Sequence, residues 1–152
     1  MDRITIKNIV VHSLILGLIL GIISAIPYVG IYALFAVIIL SAPIVLLYLI
    51  MDSKYDFTTV KDSIISGAIS GFSANVSFCF GYAVVALLIN LAFNYSTNLI
   101  LNSMIIKSPL WLLIVFVVFI SVFVATTNAF SGFLTYYFVN MLRDIYERKN
   151  RE

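Results

Sequence analysis

Charge is what this chain has least of, and its placement matters more than its amount. No Asp, Glu, Lys or Arg occurs between Lys7 and Asp52, between Asp62 and Lys107, or between Lys107 and Arg143. Charged residues are 11% of the 152, against roughly 25% in a soluble domain. Each gap exceeds the ~20 apolar residues that cross a bilayer core. A soluble core in so short a chain has no room for three such runs. The gaps exclude a soluble fold and predict an all-α integral membrane protein.

Other scarcities narrow the chemistry. A single cysteine, Cys79, excludes an internal disulfide and CxxC redox work; between Phe78 and Phe80 it reads as a small apolar filler. A single histidine, His12, cannot make a haem or zinc site alone and falls near the predicted inner interface. Met51, Met104 and Met141 lie towards span ends without clustering. With no ionisable side chain inside a span, an intramembrane enzyme lacks its acid, base or metal, and proton-coupled transport lacks its usual carboxylate. The small four-helix drug exporters, of similar size, carry a buried Glu in their first helix that this chain does not have. A net charge of +2, scattered over membrane flanks, argues against nucleic acid. No catalytic residue, metal ligand or cofactor is expected.

What is present organises into four spans in a single transmembrane domain, at about 6–26, 31–51, 59–93 and 109–142, with a tail over about 143–152. The first run follows Arg3 and Lys7 like a signal peptide, but from Ile9 to Ile26 it is longer than an h-region, and it reads as a span. "PYVG", with Pro27 and Gly30, turns the chain into the second. Pro43 should kink that span by removing a bond to the Ile39 carbonyl. Four spans put both termini on one side, together with Arg3, Lys7, Lys54, Lys61, Arg143, Arg148, Lys149 and Arg151. Lys107 alone falls on the other. Lys/Arg bias in short loops sets orientation, so the termini are expected in the cytoplasm, in a cytoplasmic membrane. Tyr and Trp fall at both boundaries that this assignment draws.

The third span carries a puzzle, "ISGAISGFSANVSF" over 65–78: half its residues are Ser, Gly or Asn. At 100° per residue, Ser63, Ser66, Gly67, Ser70, Gly71, Ser73, Ala74, Ser77 and Gly81 share one arc. Ile65, Ile69, Phe72, Val76 and Phe80 share the opposite one, with Asn75 at the border. The first span repeats the device with Ser13, Gly17, Gly21 and Ser24. "GLILG" and "GAISG" are both GxxxG, and close backbone approach carries much of helix attraction in lipid. These stripes are expected to pack the first and third helices together, or alternatively to form a homodimer. The two stretches look alike, but the second and fourth spans share too little to establish a duplication.

The fourth span adds Ser121, Asn128, Ser131 and Thr135 on one face. Asn75 and Asn128 fall at similar depth, about 21–22 Å along their helices from Lys61 and Arg143. A bare amide in hydrocarbon is costly, so the two are expected to bond to each other or to the serines. Two functions follow. One is a non-enzymatic assembly or accessory subunit, with lipid and a membrane-protein partner or second copy around it. The other is a carrier or channel whose groove, lined by Ser70, Ser73, Asn75, Ser77, Asn128, Ser131 and Thr135, takes a neutral or weakly polar solute.

Overall fold

The computed structural model describes residues 3–26, 29–56, 59–93, 103 and 106–149, and every regular element among them is helical. α1 is Arg3–Ser24. The second span is built of three pieces: α2 (Gly30–Phe35), a π turn (Ala36–Leu40) and α3 (Ser41–Met51). α4 runs unbroken over Val60–Phe93 and α5 over Leu110–Lys149. The four spans are long and apolar enough to cross a membrane.

Local chemistry accounts for the ends. Thr59 caps α4: its hydroxyl accepts the Asp62 N–H at 3.1 Å, the N-cap half of a capping box, and donates to the Asp62 carboxylate at 3.0 Å. Gly30 lies so close to the Ser24 carbonyl that any Cβ there would collide with it, so the turn after α1 needs a glycine. At 34 residues α4 is about 50 Å long, against a bilayer core of ~30 Å, and Gly81 does not break it. α5 continues through the charged tail to Lys149 as one helix.

α4 is the hub, packed along α1 on one side and α5 on the other. Ser13 meets Ser70, Gly17 meets Ala74 and Gly21 meets Phe78, a constant offset of 57 residues, so α1 and α4 are parallel. Ser63, Gly67, Gly71 and Asn75 meet Gly132, Asn128, Val124 and Ser121 in turn, so α4 and α5 are antiparallel. Here the sequence expectation needs correcting. Gly17 and Gly21 do seat α1 on α4, but Gly67 and Gly71 face α5, where Gly132 completes the contact. The third span has two close-packed sides rather than one. Ile69, expected to face lipid, is partly buried against the core, while Ile65, Phe72 and Phe80 are exposed.

The apolar core is thin and split. One cluster gathers Ile9, Ala42, Val45, Leu46, Leu49, Tyr55 and Val139; the other holds Ala33, Val37, Ala74 and Phe78. Between them lies a polar level. Among the described residues the buried polar side chains are serines, a threonine and two asparagines, and none is charged.

The loop after α3 closes one end of the bundle. Arg143 on α5 donates to the Asp56 carboxylate at 2.6 Å, an exposed pair worth at most about 1 kcal/mol. Tyr55 turns inward and shares a 2.8 Å hydrogen bond with Ser66 on α4. Burial pushes its phenol above the ordinary 10.0, and the Ser66 bond opposes this in part. The neutral phenol is therefore favoured by the folded state. Its contribution to stability is complete below the unfolded value and lost as pH rises through the folded one. Thermal unfolding in detergent from about pH 8 to about pH 11 should show a steeper loss for the unmodified chain than for Tyr55→Phe. Parallel curves would remove Tyr55 from the account.

Candidate functional site

The site is a polar clasp at the level between the two apolar clusters, and its centre is Asn128, 0% exposed. Its Oδ1 accepts the Ala42 backbone N–H at 2.8 Å and the Ser41 hydroxyl at 2.9 Å. Its Nδ2 donates to the Ile38 carbonyl at 2.9 Å, the Val124 carbonyl at 3.0 Å and the Val37 carbonyl at 3.1 Å. Next to it, the Thr127 hydroxyl reaches the Ile38 carbonyl at 2.8 Å.

The backbone of the second span explains why an amide is needed there. In a π turn a carbonyl looks for the N–H five residues on. For Ile38 that residue is Pro43, which has no N–H. For Val37 it is Ala42, whose N–H goes to Asn128 instead. An unpaired backbone group in hydrocarbon costs several kcal/mol. The side-chain amide of Asn128, with a donor and an acceptor side by side, supplies what another peptide unit would. The irregularity thus begins before Pro43, as a π turn over 36–40, rather than as the simple proline kink expected from sequence.

From this centre the bonds extend to all four spans. Ser41 bonds to Asn128, the Ser70 hydroxyl lies 3.4 Å from the Ser41 carbonyl, and Ser13 donates to Ser70 at 2.9 Å. α1, α3, α4 and α5 each contribute one side chain to this line of bonds: Ser13, Ser41, Ser70 and Asn128.

The other predicted residues divide. Asn75, 2% exposed, donates to Ser121 at 2.9 Å and lies 3.8 Å from the Cys79 sulfur; it does not bond to Asn128. The two amides therefore belong to separate links, one between α4 and α5, the other between α5 and the second span. Ser77 donates to the Leu14 carbonyl at 2.6 Å and ties α4 to α1. Ser131 and Thr135 are buried but bond within α5, to the carbonyls of Thr127 and Ser131. Ser24 likewise returns to the Gly21 carbonyl of its own helix. Ser73 is partly buried and makes no hydrogen bond among the described residues. His12 sits off the clasp, with Nδ1–H donating to the Asn8 carbonyl at 2.7 Å and its ring 5.2 Å from that of Tyr48.

Sequence reasoning missed Ser41, Thr127 and the backbone of 37–42. A signal was available: Pro43 leaves carbonyls one turn earlier without donors, and some polar side chain has to reach them. Which one could not be read from the chain, because the contacts join residues 86 to 91 positions apart. No protein-family model matches this chain, and no curated protein or solved structure matches it either.

Proposed function

We propose that this is a small non-enzymatic membrane protein that serves as an assembly or accessory subunit. In this reading it lies in a cytoplasmic membrane with both termini on the cytoplasmic face, an orientation supported by the eight Lys/Arg of one side against Lys107 on the other. The observation that carries the reading is the clasp. Asn128 spends its donors and acceptor on the second span and on Val124, which leaves none for a passing solute. The glycine contacts bring backbones together where a groove would hold them apart. A surface groove on α5, lined by Leu112, Leu113, Val115, Phe116, Phe119 and the preceding Ser108, includes none of the clasp residues. The exposed apolar sides of the spans face lipid and, in this reading, a larger membrane-protein partner or a second copy.

One observation favours the carrier reading. The Ser73 hydroxyl and the side-chain Oδ1 of Asn75 sit close together in sequence, and neither makes a hydrogen bond among the described residues. Thiol accessibility separates the two. In a Cys79→Ala background, single cysteines replace Ser73, Asn75 and Ser131, and an impermeant water-soluble reagent is added from each side of intact membranes. No labelling is expected at the three positions, with ready labelling of a control cysteine at Ser53. Labelling at these depths would establish a water-filled path and replace the subunit reading with the carrier.

A further inference from the structure

Thr127 and Asn128 each reach two helices at once. The Thr127 hydroxyl lies 2.8 Å from the Ile38 carbonyl and 2.9 Å from the Val124 carbonyl of its own helix, yet it has one proton to give. Asn128 Nδ2 has two protons for three acceptors, Val37, Ile38 and again Val124. The Thr127 hydroxyl and one of the two Nδ2 protons therefore have a partner at home, three or four residues back on α5.

The second span has a matching alternative. In a plain α register the Ser41 N–H bonds to the Val37 carbonyl and the Ala42 N–H to the Ile38 carbonyl. Those are the carbonyls, and one of the N–H groups, that the clasp now serves. Asn128 Oδ1 would give up Ala42 and keep the Ser41 hydroxyl. Only the Ile39 carbonyl would be left open, because its α partner is Pro43.

We infer that the π turn and the clasp form one two-state element. In the engaged form, the one described above, Asn128 and Thr127 hold the π turn open. In the released form the turn tightens into α register, and both side chains fall back on Val124. The released form leaves one Nδ2 proton of Asn128 without an acceptor, and that cost keeps the engaged form as the ground state. Tightening by one residue turns α2 about 100° around its axis relative to α3. The outward side chains Ile31, Tyr32, Leu34 and Phe35 turn with it. A protein seated on α2 is thereby coupled to the clasp. No titratable group takes part, so the element responds to neighbours in the membrane and not to pH.

The test combines a distance with a stability cycle, both on the full chain in lipid nanodiscs. In the Cys79→Ala background, nitroxides at Tyr32 and Tyr48, both exposed and on opposite sides of the π turn, are measured by pulsed electron paramagnetic resonance. The chain with an intact clasp is expected to give one main distance and a minor second one, and Asn128→Leu to move the population to the second. Deleting Ile39 removes the extra residue. Alone it lowers Tm by about 5 °C or more, because Asn128 loses its partners. Joined to Asn128→Leu it restores Tm to within about 2 °C of the starting chain, even where Asn128→Leu by itself is too unstable to purify. A single unmoved distance, or a double variant carrying the sum of the two losses, overturns the inference.

Discussion

Gly17→Ala is expected to lower stability by about 3 kcal/mol, the upper end of the usual cost of overpacking, and Gly17→Leu to abolish the fold. A Cβ at Gly17 would sit inside the van der Waals envelope of the Ala74 carbonyl oxygen, and its nearest neighbours are all backbone. No side chain can rotate away; α1 and α4 must part. Close packing is a larger share of what joins the helices here than in a soluble bundle, because no hydrophobic effect draws apolar helices together within lipid. It also stretches the Ser13–Ser70 and Ser77–Leu14 bonds, which lie within about one turn of the contact. Gly67→Ala and Gly132→Ala should act similarly at the other interface, each against backbone of the facing helix. Unfolding by heat or by a denaturing detergent, with exposed Ala92→Leu as control, measures the effect. A Gly17→Ala chain as stable as the control would show that the helices are not in contact there.

Asn128→Ala is expected to cost about 2–4 kcal/mol and Asn75→Ala about 1 kcal/mol or less, although both amides are almost fully buried. The difference lies in what each leaves behind. Without Asn128, the Ala42 N–H and the Val37 carbonyl lose the partner that they have at the clasp, and Ile38 keeps only Thr127. An orphaned buried polar group costs about 1–3 kcal/mol, and the α register that would pair these groups again turns α2 out of its packing against α1. Without Asn75, Ser121 still donates to the Val117 carbonyl of its own helix, and nothing of the backbone is exposed. The usual membrane value of ~0.6 kcal/mol per side-chain bond then applies. Asn128→Asp tests the donor half alone: an ionised carboxylate can accept from Ser41 and Ala42 but cannot donate to Val37 or Ile38. It should be at least as damaging as Asn128→Ala. Equal losses at positions 75 and 128 would mean that the clasp adds nothing to ordinary amide burial.

Much of the architecture was legible because a bilayer imposes simple rules. Uncharged runs of sufficient length had to be helices, since only a helix satisfies its own backbone in a single apolar segment. The expected limits 31–51 and 59–93 lie within a residue of Gly30–Met51 and Val60–Phe93, while Arg3–Ser24 starts and ends a few residues before the expected 6–26 and Leu110–Lys149 runs seven residues past the expected 142. The small and polar residues of the third span were identified as interior by their shared arc, and Ser63, Ser66, Ser70 and Ser77 are indeed buried. Their partners were less legible. A wheel shows that Gly67 and Gly71 point inward, but an interior helix has neighbours on two sides. Ser131 and Thr135 illustrate a second limit. A hydroxyl on a helix can satisfy itself on the carbonyl four residues back, so a buried Ser or Thr need not reach across to anything.

The sequence by itself determined the number of spans, their lengths and which face of each is small or polar, because these follow from local composition and the 3.6-residue period. Tertiary structure decided which faces meet. It set α4 between α1 and α5, gave Asn75 to Ser121, and brought Asn128 to a stretch of backbone with no polar side chain before Ser41 to announce it. The reason is physical: a carbonyl left open by a π turn and a proline is invisible in residue types, and only the approach of another helix shows what closes it.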